Sequence, residues 1–250
     1  MDPHLIVTRR EIVQAGLFVA AGAAVAGLTG CQAQKPGGRL PNNVWPDSPT
    51  PGAPAPVQAE APLPPIPGVP GPPPGVIARS VWTSAKPNRA YAKPMNGVRR
   101  ITVHHSAVNN SGLITRADTA RQLESFRQNH VGRTDPDTGA HWVDIGYHYI
   151  IDPSGRIWEG RPTDIEGAHV SHTNQHNLGV MVMGNFDEQQ PTSAALASLD
   201  SFVAAQMRRY NVPIKYVYTH QELKSTECPG KSLQRYMMAT RSTSGRMAMA

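Results

Sequence analysis

The rhythm of apolar and polar positions changes three times along the chain. An apolar run from Ala15 to Leu28 follows the polar Thr8-Arg9-Arg10-Glu11. It is too short for a comfortable membrane span and reads as a signal sequence. From Gln32 to about Gly75 no period survives, because proline recurs from Pro46 to Pro74 with little apolar bulk between. Lacking backbone donors and core-forming side chains, this stretch is expected to stay extended and solvated, a tether with an upper-bound reach on the order of 100 Å. From Val76 onward strand and helix periods intermix. One folded domain over 76–238 is expected, followed by a disordered tail over 239–250.

Inside that domain, Ile101 to His105 alternates in strand fashion, with Ile101, Val103 and His105 on one face and Thr102 and His104 on the other. Thr115 with Asp118 reads as a helix start, and the helix runs to about His130 with Ala120, Leu123 and Phe126 inward. Thr134 to Gly139 is turn chemistry. Gly146 to Ile151, the turn Asp152-Pro153-Ser154-Gly155 and Arg156 to Glu159 predict a hairpin. The unbroken apolar run Leu178 to Met183 predicts a central strand, and Thr192 caps a helix to Tyr210 with Leu196, Leu199, Val203 and Met207 buried. Ile214 to His220 is expected as the last strand, and a short helix starts after Pro229. The sum is an α/β domain, a central mixed β-sheet flanked by helices.

Charge narrows the choice of partners only slightly. The formal excess is +6 and survives removal of residues 1–31, where Arg9 and Arg10 offset Asp2 and Glu11. A mild basic excess suits an anionic polymer. No Lys/Arg run interleaved with aromatics is present, so nucleic acid is not expected as a partner.

The two cysteines sit in different settings, Cys31 at the end of the apolar leader and Cys228 deep in the folded part. Arg9-Arg10 resembles a twin-arginine export signal, with Ile12-Val13 in place of the commoner Phe-Leu. Leu28-Thr29-Gly30-Cys31 resembles a bacterial lipobox, which implies cleavage before Cys31 and lipidation of its sulfur. An exported, lipid-anchored protein in the cell envelope is therefore expected, held to a membrane through Cys31. Cys228 then has no disulfide partner and calls for another explanation, of which metal binding is the best. His220 lies eight positions before it. An imidazole and a thiolate suit Zn²⁺ if a third ligand arrives from elsewhere, and His104 or His105 is the obvious donor.

Three patterns in order, Val103-His104-His105-Ser106, Gly146-Tyr147-His148-Tyr149 and His220 with Cys228-Pro229, carry a family likeness. With Gly160-Arg161, Gly167-Ala168-His169 and Gly184-Asn185-Phe186, they closely resemble the type-2 N-acetylmuramoyl-L-alanine amidases, the family shared with phage amidase lysozymes and animal peptidoglycan recognition proteins. The likeness covers about Ile77 to Tyr236. It implies a mixed sheet with flanking helices, a single zinc in a surface groove, and hydrolysis of the amide between N-acetylmuramic acid and the L-alanine of the stem peptide in peptidoglycan.

Carried over residue by residue, the resemblance implies that His104, His220 and Cys228 ligate Zn²⁺. Alternation agrees, because His105 shares the face of Ile101 and Val103 and reads as a packed neighbour. Three protein ligands leave one tetrahedral position open, the mark of a catalytic site. Tyr147 matches a position where relatives place a catalytic Tyr or Glu, and Thr226 one where they carry Lys or Thr. Tyr147, a poor base with an ordinary phenol pKa of about 10, is expected to orient the water or to donate to the developing oxyanion, and the Thr226 hydroxyl can donate one hydrogen bond to the tetrahedral intermediate. His169 and Asn174 occupy a segment that lines the groove in relatives and are expected to meet the glycan or peptide. His130, His141 and His148 read as surface or packing residues, and Trp82, Trp142 and Trp158 as core. A monomer suffices. Two other functions remain open: a peptidoglycan-binding module without catalysis, against which the retained Cys228 and Tyr147 argue, and hydrolysis of a different amide such as an anhydro-muropeptide.

Overall fold

The computed structural model describes residues 75–134 and 141–249, together with Pro73 and Gly139. The leader, the lipobox at Cys31, nearly all of the proline-rich tether and part of the Thr134 to Gly139 turn lie outside the described residues.

Six strands make one mixed sheet: β1 (Val76–Ile77), β2 (Arg100–His105), β3 (Tyr149–Ile151), β4 (Ile157–Glu159), β5 (Asn177–Val182) and β6 (Val217–Thr219), in the order β1-β4-β3-β5-β2-β6. The neighbours β3, β5, β2 and β6 run parallel, while β4 is antiparallel to β3 and β1 is parallel to β4. β5 is buried at every position, as its unbroken apolar run requires of a strand covered on both faces.

Helices cover each face. α1 (Arg116–Val131) lays Leu123 and Phe126 against Ile150, Trp158, Met181 and Met183. α2 (Ser193–Tyr210) packs Leu199, Phe202 and Val203 against the other face, where Ile101, Val103, Ile151, Leu178, Val180 and Val217 point. Both long helices start where local chemistry says they should. Thr115 and Asp118 form a reciprocal capping box, and Thr192 Oγ1 accepts the N–H of Ala195 at 3.1 Å. The short α3 (His220–Leu223) follows β6 directly, and α4 (Lys231–Thr240) adds Leu233 and Met237 to the core beneath α2.

The β3–β4 hairpin is tied to α1 through one carboxylate. Asp152, fully buried, accepts the backbone N–H of Ser154 and Arg156, the Nε–H groups of Arg156 and Trp158, and the Thr119 hydroxyl, at 2.6–3.1 Å. Gly155 completes the turn at φ +79°, and a Cβ there would stand 2.7 Å from the carbonyl oxygen of Ala194 at the start of α2.

The elements depart from expectation in three places. Strand β3 begins only at Tyr149, so Gly146 to His148 is a loop pinned by hydrogen bonds from Gly146 N–H to His130 Nδ1 (2.9 Å) and from His148 N–H to the Gly179 carbonyl (3.0 Å). The last strand is shorter too: Ile214–Tyr216 is a 3₁₀ turn, and His220 opens α3 instead of ending β6. The segment after Thr240, expected as a disordered tail, forms a helical turn, α5 (Arg246–Met249), whose Met247 is 1% exposed in the main core. A single buried methionine, with its N–H bonded to Thr240 Oγ1, supplies the anchor that the polar Ser242-Thr243-Ser244 hides.

Candidate metal centre

His104 lies near the C-terminal end of β2, which runs between β5 and β6, on the sheet face turned toward α1. Because Val103 pairs with Thr219, the last residue of β6, His220 at the start of α3 comes level with His104, and their ring centroids are 4.7 Å apart. His220 is held there by its own helix start. Thr219 N–H donates to Glu222 Oε2 at 2.8 Å, and Glu222 in turn accepts from Arg241 at 2.6 and 2.9 Å. The chain then doubles back: Gln221 N–H donates to the Cys228 carbonyl (2.8 Å) and Cys228 N–H to Thr226 Oγ1 (3.3 Å). This brings Cys228 Sγ to 3.6 Å from His104 Nδ1.

The ligand atoms of His104, His220 and Cys228 all lie within 4.8 Å of one another, and all three side chains are buried. Among the described residues this is the one such cluster of metal-binding side chains. Burial holds each in its neutral form. It drives His104 well below the ordinary imidazole range, helped by neighbouring His220, His169 and His105. It also lowers His220 to about 4, with His105 and Lys224 adding to the effect, and pushes the Cys228 thiol up to about 12. The His105 backbone N–H, bonded to the sulfur, opposes that rise only in part. Two bare imidazole nitrogens and a thiol that ionises only beside a cation make a donor set for a borderline-soft divalent ion.

Geometry fits the same ion. A sulfur at about 2.3 Å and a nitrogen at about 2.0–2.1 Å on a tetrahedral zinc stand roughly 3.5 Å apart. The observed separation is 3.6 Å. No carboxylate belongs to the cluster, so the oxygen-seeking Mg²⁺ and Ca²⁺ do not suit it.

The other expected residues gather around this centre in different capacities. The Tyr147 ring lies 5.1 Å from that of His104, on the loop ahead of β3. Burial first, and then the nearby Cys228, raise its phenol above the usual range, so it stays protonated. Thr226, half-buried, braces the turn that presents Cys228. His105 packs under Phe186, whose N–H donates to its Nδ1 at 3.3 Å. His130 and His148 are buried packing residues, while His141 is exposed. Trp82 and Trp158 are core, and Trp142 is half-buried beside His130.

Of the two residues expected to contact glycan or peptide, His169 has both ring nitrogens turned inward, while the half-buried Asn174 turns its Oδ1 onto the backbone. His169 is 5% exposed, with Nδ1 at 3.0 Å from His104 Nε2 and Nε2 at 3.1 Å from the Asn177 carbonyl, so both ring nitrogens are used. Asn174 Oδ1 accepts the backbone N–H groups of His169 and Val170, both at 2.9 Å. The physical reason is space: Gly167 and Gly179 carry no side chain where the His169 ring lies.

Arg161 has a role the sequence did not disclose beyond its place in a motif. Only 3% exposed, it donates to the carbonyls of Ile145 (2.7 Å), Asp144 (2.9 Å) and Glu166 (2.6 Å). One guanidinium thus joins the loop carrying Tyr147 to the loop carrying His169. Burial lowers its pKa to about 10, and it remains charged at neutral pH.

A mixed sheet carrying a buried His-His-Cys cluster at the C-terminal ends of its parallel strands defines an α/β protein with a candidate single-metal centre. The family model described as N-acetylmuramoyl-L-alanine amidase matches residues 94–231, and the chain belongs to that family. It is 29% identical over 161 residues to peptidoglycan-recognition protein SC2 of Drosophila melanogaster, covering 63% of this chain and 82% of that one. Among solved structures it resembles bumblebee PGRP-SA (TM-score 0.55, 26% identity, 65% and 93% coverage of the two chains). It also resembles peptidoglycan recognition protein-LE in complex with tracheal cytotoxin, a monomeric diaminopimelic acid-type peptidoglycan (TM-score 0.53, 28% identity, 62% and 88% coverage).

Proposed function

We propose that this domain is a zinc-dependent amidase that hydrolyses the bond between N-acetylmuramic acid and the L-alanine of the stem peptide in peptidoglycan. The observation that carries the reading is the convergence of His104, His220 and Cys228, above all the buried thiol 3.6 Å from an imidazole nitrogen. A protein that only recognised wall fragments would have no use for it. Bound there, Zn²⁺ supplies a Lewis acid for the amide carbonyl and brings the ionisation of a water molecule near neutral pH.

The chain's own residues do the rest. His104 and His220, kept neutral by burial, offer lone pairs, and the His105 N–H steadies the sulfur of Cys228 as it ionises. Tyr147, held in its protonated form, cannot be the base; it donates its O–H to the charge that develops on the carbonyl oxygen. Thr226 uses its oxygen to accept from Cys228 N–H and has its hydroxyl proton to donate elsewhere. The leader and lipobox extend the proposal to an exported domain held at a membrane through Cys31, an extension that rests on sequence alone.

A second reading, a peptidoglycan-recognition module without catalysis, is favoured by the names of the relatives. Incubation with purified peptidoglycan, followed by mass analysis of the soluble products, separates the two. The amidase predicts free stem peptides beginning at L-alanine, lost on chelation and restored by zinc. Binding without any released peptide would leave the recognition reading, and new reducing sugar ends would indicate a glycosidase.

A further inference from the structure

We propose that His169 is a positioning residue: it fixes His104 in the tautomer that carries its proton on Nε2, and so leaves the lone pair of Nδ1 for the metal. The inference rests on the metal reading above and concerns how one of its ligands is prepared.

Bond directions follow from which groups can donate. The Asn177 carbonyl oxygen, 3.1 Å from His169 Nε2, can only accept, so that nitrogen carries the ring proton. His169 Nδ1 is then an acceptor, and its one partner is His104 Nε2 at 3.0 Å, which must donate. A neutral His104 with its proton on Nε2 has a bare Nδ1, and that is the nitrogen facing Cys228 Sγ at 3.6 Å. The relay thus begins at a backbone carbonyl, which cannot change its role, and ends at the ligand atom.

The ring of His169 is held in place independently of these bonds. A Cβ on Gly179 would stand 2.6–2.8 Å from its Cδ2, Nε2 and Cγ, and one on Gly167 2.3–2.7 Å from Cδ2 and Nε2. The ring therefore fills a slot bounded by two backbones that carry no side chains. It meets the His104 ring nearly edge-on, at 84°, and Asn174 Oδ1 secures its own backbone N–H at 2.9 Å. Neither nitrogen is available to solvent or substrate, so the residue acts through His104 alone.

The test joins zinc affinity, by competition with a chromophoric chelator, to a long-range ¹H–¹⁵N correlation spectrum of the imidazoles in the unmutated, zinc-loaded chain. His169→Phe keeps the ring volume and removes the acceptor, and its affinity is expected to fall about 10–100-fold. His169→Asn places an oxygen near the Nδ1 position and is expected to recover most of that loss. The spectrum should show His104 protonated at Nε2 and His169 protonated at Nε2. Equal affinity in His169→Phe and wild type, equal loss in both variants, or a proton on His104 Nδ1 would overturn the proposal. Should His169→Phe fail to fold, the spectrum of the unmutated chain decides alone. A wild-type chain that binds no zinc would overturn the metal reading and this one with it, whereas a wild-type chain that binds zinc beside an unaffected His169→Phe would overturn only this one.

Discussion

Gly179→Ala is a one-methyl perturbation in the middle of β5 that reaches the metal centre through two imidazoles. The added Cβ would meet the His169 ring at 2.6 Å, and restoring an ordinary contact of 3.4 Å requires a retreat of about 0.8 Å. The ring has nowhere to go, because Gly167 closes its other side and the Asn177 carbonyl fixes its far nitrogen. Either β5 shifts, at an overpacking cost of about 1–3 kcal/mol, or the ring tilts and a buried hydrogen bond is lost, at about 1–3 kcal/mol. Removing a strand glycine returns roughly 0.5–1 kcal/mol. A net loss of up to about 2.5 kcal/mol in urea unfolding of the metal-free chain is expected, with zinc affinity down about tenfold or more. Gly112→Ala, where a Cβ would meet nothing within 4 Å, is the control and should stay within about 0.5 kcal/mol of wild type. If Gly179→Ala matched that control in stability and in zinc affinity, the reasoning about the slot would be refuted.

Three further outcomes are expected. Cys228→Ser should lose zinc and activity together while its circular dichroism stays near wild type; full activity in that variant would remove the ligand assignment. Tyr147→Phe should lower kcat about 10²–10³-fold with zinc affinity unchanged, since the phenol donates to the reaction and not to the metal; an equal fall in zinc affinity would contradict that role. Stability should also decline with acid, even in the metal-free chain. Burial lowers His130 and His148 to about 3, so between pH ~6.5 and that value the unfolded chain holds more protons and unfolding becomes easier as pH drops. Each group contributes about 1.4 kcal/mol per pH unit through the middle of that window, and a flat profile of urea midpoints from pH 7 to 4.5 would contradict it.

Local chemistry was legible in the sequence, and the cluster of His104, His220 and Cys228 was legible through the family likeness, but the other long-range contacts were not. The capping box at Thr115 and Asp118, the cap at Thr192 and the buried run of β5 each follow from neighbouring residues, and each appears where expected. The two-residue period of β2 put His104 and His105 on opposite faces, and the structure does the same. The end of β6 was misread because a strand pattern was carried through Thr219, although Thr219-x-x-Glu222 is itself a helix-start signature. His169 was named as a groove residue, but its contact with His104 escaped because its neighbours Gly179, Asn177 and His104 lie 8 to 65 residues away, and no local period encodes them. The signal that could have exposed it was Gly179, an unforced glycine inside an otherwise apolar strand, which marks a close approach by something bulky. The ordered turn of α5 depends likewise on one distant contact, Met247 in the core.

The claim beneath all of this is that two imidazoles and one thiolate from three parts of the chain share one zinc. X-ray absorption at the zinc edge, on the purified zinc-loaded protein, measures it directly. One sulfur at about 2.3 Å and two imidazole nitrogens at about 2.0–2.1 Å are predicted, the sulfur vanishing in Cys228→Ser. A shell of light atoms only, unchanged by that substitution, would contradict the account.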